Sequence, residues 1–285
     1  MSEVKLIKEL KDKTGAGFLD CKKALIENKN NIEKAIDTLR KKGLSKAIKK
    51  SSREANEGAI GIYSNENFTV ILKINSETDF SAKSDIFLDF LDNLGFIALH
   101  TNDINLDIDK FLNVKNNDKL ISELITEMIA KIGENIILTQ IEVLDHKNSN
   151  FAYYVHNPYR KNIGKIISII QFTANSSDKK IEIFSKNICM HIAALKPEAL
   201  DKDNLSKEII NKEINIQKSL ILSSGKPENV VNKILEGKMN KYFSEVTLMN
   251  QNFVIDPDKT VKDAIEFYAN EYSYSLISFK LLTLS

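Results

Sequence analysis

Close to residue 55 the hydrophobic pattern changes its period, and that change limits what the chain can fold into. Upstream, apolar residues recur at helical spacing. Val4, Ile7 and Leu10 follow Ser2, a candidate N-cap; Leu19, Ala24 and Leu25 follow the break at Thr14-Gly15-Ala16-Gly17; Ile32, Ala35, Ile36 and Leu39 complete the series. These i, i+3, i+4, i+7 stripes predict three short helices, the last ended by Gly43 as a left-handed C-cap. About 45 residues make only a marginal bundle by themselves, and the mostly polar run from Lys46 to Glu57 is predicted as its tether, with a domain boundary near residue 55.

Downstream the period is that of strands. Ala59 to Tyr63 and Phe68 to Asn75 flank the turn Ser64-Asn65-Glu66-Asn67, and Val70, Leu72 and Ile74 alternate with more polar neighbours, as an antiparallel hairpin requires. A helix is predicted from near Ser84, with Phe87, Phe90, Leu91 and Leu94 inward. A second carries Leu120, Leu124, Met128 and Ile132 and stops at Gly133, and a strand from Ile136 to Leu144 follows. The same order then recurs: strands at 151–156 and 163–173, a helix at about 179–195, further helices, and a strand near 275–282. Element order, without convincing residue identity between the halves, predicts a duplicated core. Between Leu205 and Phe243 two helices meet at Ser223-Ser224-Gly225-Lys226-Pro227, which predicts an inserted helical hairpin. Its Ile210, Ile214 and Leu220 suit either self-association or packing onto the core.

Length and composition are consistent with this plan. A chain of 285 residues with 42% hydrophobic residues suffices for two or three domains. The formal charge of +1 hides an asymmetry: residues 1–53 hold 15 Lys/Arg against 7 Asp/Glu, and the remainder 25 against 32. A basic head on an acidic body suits nucleic acid, an acidic protein surface, or plain solvation. Cys21 and Cys189 form no CxxC, Met1 to Leu10 lacks the apolar core of a signal peptide, and no run approaches ~18 apolar residues, so a reduced, cytoplasmic, non-membrane protein is expected.

The search for catalytic chemistry ends in a binding protein. Gly15-Ala16-Gly17 lacks the third glycine of a dinucleotide loop, and Gly225-Lys226 precedes a proline and lacks the earlier glycine of a phosphate-cradling loop. His100, His146, His156 and His191 show no metal-ligand spacing, His191 reads as a packed core histidine, and neither cysteine has a visible base. No enzyme activity, metal or cofactor is expected. One corner stands out. Glu77-Thr78-Asp79-Phe80 ends an apolar strand just before the helix near Ser84. Either Phe80 opens the buried face of that helix while Asp79 or Thr78 caps a turn, or the ring protrudes as a wedge for a partner's pocket.

Lys13-Thr14-Gly15-Ala16-Gly17-Phe18-Leu19-Asp20-Cys21-Lys22-Lys23-Ala24-Leu25 closely resembles the opening motif of the translation elongation factor Ts family, and Thr78-Asp79-Phe80 is similar to its TDF motif. Lys131-Ile132-Gly133-Glu134-Asn135-Ile136, His191 to Glu198 and Ser224-Gly225-Lys226-Pro227 resemble further signatures in the same order, from Leu6 to about Phe279. The resemblance implies an α+β protein: an N-terminal three-helix, UBA-like partner-docking domain (1–54), then a duplicated antiparallel sheet-plus-helices core with subdomains at 55–146 and 147–285 and a helical hairpin inserted at about 200–245. It implies a guanine-nucleotide exchange factor for elongation factor Tu, working without covalent chemistry, direct nucleic-acid contact or membrane.

Asp79 and Phe80, flanked by Thr78 and Ser81, would disturb the partner's magnesium and phosphate region, the metal belonging to the partner. Lys11, Phe18, Leu19 and His156 would dock, and the hairpin is a possible homo-dimerisation surface. Lys11 stands where the family often has arginine, and Ser81 where it commonly has valine. Asn157 to Asn162 lengthens a segment usually rich in glycine. The further C-terminal helical module of better-known members is expected to be absent.

Overall fold

The computed structural model describes residues 3–14, 16–224 and 227–284. Ser2 as a cap, Gly15 in the first break and Gly225-Lys226 in the hairpin turn lie outside the described residues. The chain is an α+β protein that divides into two compact units, the first comprising the described residues up to Asp145 together with Asn157–Lys165 and Thr283–Leu284, the second comprising the described residues of His146–His156 and Ile166–Leu282.

The first unit opens with α1 (Glu3–Thr14), α2 (Phe18–Glu27) and α3 (Ile32–Lys50). Leu6, Ile7 and Leu10, Cys21, Ala24 and Leu25, and Ala35 meet in one buried cluster, with Ile32, Ile36 and Leu39 half-buried against it. Val4 is left out of the predicted stripe, 68% exposed. The expected stop at Gly43 does not occur, because α3 runs on to Lys50 through much of the predicted tether. Gly43 serves close approach instead of termination: a Cβ there would stand 2.9 Å from that of Ala130.

The antiparallel hairpin of β1 (Glu57–Ser64) and β2 (Phe68–Ser76) follows. Asn65 shapes its turn, its side-chain oxygen accepting from the amides of Asn67 and Phe68, each at 2.8 Å. The chain continues through α4 (Asp79–Lys83), α5 (Asp85–His100), α6 (Ile108–Leu112), the two-residue strands β3 (Lys115–Asn116) and β4 (Lys119–Leu120), α7 (Ile121–Ile132) and β5 (Ile136–Asp145). Val70, Leu72 and Ile74 of β2 are buried with Phe87, Phe90, Leu91 and Leu94 of α5. At roughly 1.5–3 kcal/mol per fully buried large apolar side chain, this cluster is a main source of the unit's stability. On α7 the deepest residues are Ile121, Ile125 and Ile129, one position beyond the predicted Leu120, Leu124, Met128 stripe; Leu124, Met128 and Ile132 are half-buried, and Leu120 belongs to β4.

The second unit begins with β6 (Asn150–His156). The single strand expected at 163–173 is two: β7 (Ile163–Gly164) pairs with β1 in the first unit, and β8 (Ile166–Thr173) pairs with β6. Then come α8 (Lys179–Leu195), α9 (Lys207–Ser223), α10 (Glu228–Val246), the short strands β9 (Asn252–Phe253) and β10 (Asp256–Thr260), α11 (Val261–Tyr272) and β11 (Ser275–Thr283). The sheet order β11-β8-β6 repeats β5-β2-β1 of the first unit, the second strand of the opening hairpin being central in each. Aromatic residues fill this core: Phe184 stacks on Tyr268 at 3.8 Å and Phe172 on Tyr274 at 5.0 Å.

His191 is fully buried, as expected of a packed histidine. Its Nε2 pairs with Gln251 Oε1 at 2.9 Å, and its Nδ1 accepts from the Val254 amide at 3.2 Å. The inserted hairpin, α9 with α10, buries Ile221, Val231 and Met239, holds Ile210 and Ile214 half-buried, and leaves Ile209, Ile216, Leu220 and Leu222 exposed. Its two ends are stitched together, the Glu198 amide donating to Val246 O at 2.8 Å and the Leu248 amide to Ala199 O at 2.9 Å.

Candidate functional site

Beyond Ser76 the chain leaves the sheet and turns into the single-turn helix α4. Thr78 is its N-cap: its backbone is extended (φ −127°, ψ 155°) and its Oγ1 accepts from the Ser81 amide at 3.3 Å. A second cap follows at once, since Ser84 Oγ accepts from the Phe87 amide at 3.3 Å and starts α5 as a separate helix. The helical phase therefore breaks between Phe80 and the buried face of α5. Of the two readings open for Phe80, burial is excluded, because the ring is 86% exposed while Ala82, two residues on, is fully buried. Beside the ring, Asp79 is paired with Lys83 at 2.9 Å, and that hydrogen-bonded ammonium holds the Asp79 carboxyl below its ordinary value. Lys83 itself lies 5.8 Å from the centroid of the Tyr159 ring.

The corner is braced from a segment far away in sequence. Gly133, at φ 89°, ends α7 in the left-handed conformation that glycine adopts without strain, and its amide donates to Ile129 O at 2.9 Å. This reversal carries Glu134 to the corner, where Oε2 accepts from the Thr78 amide at 3.0 Å and Oε1 from the Thr78 hydroxyl at 2.7 Å. Burial alone would raise the Glu134 carboxyl. The hydroxyls of Ser81 and Thr78 and the amide of Thr78 outweigh it, and the net direction is down. The next residue ties in the other side: the Asn135 amide donates to Glu77 Oε1 at 2.7 Å, and its Nδ2 donates to Arg53 O at 2.7 Å and Ser51 O at 3.3 Å. Lys50 Nζ at the end of α3 donates to Gly133 O.

The lengthened segment 157–162 is pinned to α5. Arg160 bonds Asp89 and Asp92, each at 2.7 Å, and approaches Asp85 at 3.5 Å, so one guanidinium spans carboxylates on successive turns. Asp92 also accepts from Tyr63 Oη at 3.1 Å.

The other predicted site residues lie elsewhere. Lys11 is exposed on α1, and Phe18 and Leu19, 52% and 69% exposed, form the first turn of α2. His156 closes β6 in the second unit, half-buried, its ring 6.0 Å from that of Tyr154. The structure thus gathers Thr78, Asp79, Phe80 and Ser81 at one corner of the first unit and does not bring Lys11, Phe18 or Leu19 of the same unit to it; His156 belongs to the second unit. Glu134, Asn135 and Lys83 take part without having been singled out as site residues in the sequence reading. The available signal was indirect: a corner carrying Thr and Ser hydroxyls plus free amides needs an acceptor.

Such a corner presents a rigid ring and a carboxylate to whatever docks on it. Both cysteines are buried, and burial pushes their thiols up, which disfavours the thiolate. Among the described residues no three His, Cys, Asp or Glu side chains gather as a ligand set for a metal ion.

The sequence profile of the family described as Elongation factor TS matches residues 77–284. Over 267 residues the chain is similar, at 40% identity, to Elongation factor Ts of Syntrophotalea carbinolica, with 93% of this chain and 86% of that protein covered. Elongation factor Ts of Rickettsia prowazekii is 38% identical over 278 residues (96% and 89% covered), and that of Rickettsia africae 39% over 272 (93% and 87%).

Proposed function

Because the chain belongs to the elongation factor Ts family, and so among the elongation factors of translation, we propose that it is a guanine-nucleotide exchange factor that promotes release of GDP from elongation factor Tu. Asp79 and Phe80 enter near the partner's magnesium and phosphate site. The observation that carries this reading is the exposed ring of Phe80 on a corner braced by Glu134. An 86% exposed aromatic does little for its own fold, whereas a side chain on a backbone already fixed by Glu134 and Ser84 loses only its own two torsions on entering a pocket.

Exchange by such a surface is linkage. A factor that favours the nucleotide-free partner weakens nucleotide binding by the same free energy with which nucleotide weakens the factor. Contacts removed around the partner's magnesium and phosphates reappear as faster release, and incoming nucleotide expels the factor. No covalent step is required of this chain, and it holds no metal or cofactor of its own in this reading. Lys11, Phe18 and Leu19 dock the domain 1–54 on the partner, and His156, on the core half 147–285, makes a separate contact from that of the half 55–146. Among the described residues no helix is long and apolar enough to cross a membrane, and the site of action in this reading is the cytoplasm. The outward Ile209, Ile216, Leu220 and Leu222 of the hairpin favour a second, additional role for it in self-association.

The test is release of labelled GDP from elongation factor Tu with and without this chain. Acceleration at substoichiometric chain supports exchange. Unchanged release, with binding to RNA that falls steeply with salt, would favour the nucleic-acid reading of the basic head instead.

A further inference from the structure

We propose that Glu134 is the positioning residue of the exchange surface: its carboxylate fixes the orientation in which Asp79 and Phe80 are presented, and the Asn135 beside it ties that orientation to the chain leaving α3. This rests on the exchange reading above and deepens it.

A five-residue helix has no stability of its own, since nucleation outweighs the few hydrogen bonds it makes. The conformation of Asp79–Lys83 is therefore imposed from outside. Behind Phe80, Ala82 is buried and Ser84 Oγ donates to Ser81 O at 2.7 Å, which anchors the end of the turn. Ahead of Phe80, both donors of Thr78 go to the two oxygens of Glu134, and the Thr78 hydroxyl in turn accepts from the Ser81 amide at 3.3 Å. Phe80 thus sits between two fixed points, one of which is Thr78 held by a single side chain 56 residues further along the chain. A charged acceptor holding two donors of one residue sets direction as well as distance.

The same turn is built into the neighbouring segment. Asn135 is buried, its amide and side chain shared among Glu77, Ser51 and Arg53, and Arg53 reaches Glu77 at 3.4 Å. Movement of the chain leaving α3 would reach the Thr78 corner through one residue. In this way Glu134 works through Phe80 and Asp79 and touches no nucleotide itself.

Glu134→Gln keeps the size of the side chain but offers one acceptor oxygen and turns an amide N–H toward a Thr78 donor. GDP release from elongation factor Tu is measured over a range of factor concentrations for wild type, Glu134→Gln, Phe80→Ala and the double variant, with thermal unfolding of each. Glu134→Gln is expected to lower the maximal rate roughly tenfold, the order of a lost hydrogen bond to a charged group, with the half-saturating concentration changed less than twofold. In the Phe80→Ala background the further loss should be clearly smaller than in wild type, since only the presentation of Asp79 remains to be affected.

A maximal rate equal to wild type, or the same loss with and without Phe80, overturns the positioning role while leaving exchange intact. A wild-type chain that does not accelerate release overturns the exchange reading and this proposal together. Should Glu134→Gln fail to fold, Glu134→Asp keeps the charge but draws the carboxylate back by one methylene from the two Thr78 donors and leaves the Thr78 cap in place. A several-fold lower maximal rate supports the proposal, and a wild-type rate overturns it.

Discussion

Gly43 of α3 and Ala130 of α7 touch so closely that a methyl group on the glycine would stand 2.9 Å from the alanine's, inside any normal carbon–carbon contact. Gly to Ala in a helix interior ordinarily adds up to about 1 kcal/mol of stability, but overpacking costs about 1–3 kcal/mol. Gly43→Ala is expected to be neutral or mildly destabilising, and Gly43→Leu to lose at least about 2 kcal/mol. Urea unfolding of the two variants checks this, and a stabilised Gly43→Ala would mean that the helices have room to part.

Phe80→Ala should separate function from stability. With the ring 86% exposed, unfolding is expected to stay within about 0.5 kcal/mol of wild type. If the ring fills a desolvated pocket on the partner, its loss removes about 2–4 kcal/mol there, seen as slower GDP release or weaker binding. Asp79→Ala should act in the same direction but less strongly, because its carboxylate already has Lys83 and solvent as alternatives and its contact is screened by salt. A melting temperature lowered by many degrees in Phe80→Ala, with release unchanged per folded molecule, would return the residue to a structural role.

Docking through α2 is best tested without deletion, since α3 lies against α7 and removing residues 1–53 would strip α7 of its cover. The double substitution Phe18→Ser, Leu19→Ser changes two exposed residues and should leave the melting temperature unchanged. Affinity for elongation factor Tu is expected to fall tenfold or more, with about 1.4 kcal/mol per decade. A titration giving wild-type affinity would remove this surface from the interface.

His191 makes stability depend on pH in a defined direction. Burial is the main cause that lowers its value from the ordinary 6.5, and the bond to Gln251 only partly opposes it. The unfolded chain therefore binds a proton that the folded chain resists. The histidine's stabilising contribution is full above about pH 6.5 and declines as pH falls below it toward the lowered value. His191→Leu should flatten that slope. It should also lower stability at pH 8 by about 1–3 kcal/mol for each partner left unpaired at Gln251 and Val254. Denaturant titrations of both proteins at several pH values give the comparison, and equal slopes would show that another group titrates.

Much of the fold was legible because burial writes a period into a chain. Phe87, Phe90, Leu91 and Leu94 could only be one helix face, and Val70, Leu72 and Ile74 only one face of a strand. Gly43 was misread because a glycine that ends a helix and one that lets two helices touch look alike until the partner helix is placed. The strand at 163–173 was read as one because its apolar run does not mark the division at Lys165 between two sheets. At the candidate site, Thr78, Asp79, Phe80 and Ser81 were found from their motif, yet whether the ring was inside or out depended on the consecutive caps at Thr78 and Ser84. Glu134 escaped because its bonds to Thr78 cross 56 residues and obey no local spacing.

The stitched base of the helical insertion has a consequence for how this chain tolerates change in length. With Glu198 bonded to Val246 and Ala199 to Leu248, α9 and α10 leave and rejoin the second unit at nearly one point. For the pairing of β8 with β11, the intervening arm behaves as a short closed loop, and residues added at its far end enlarge only the arm. Loop-closure entropy grows slowly with length in any case. The arm is thus the part of the molecule where evolution or an engineer can add or remove helical turns in pairs, exposing a longer or shorter surface while the sheet beneath keeps its register.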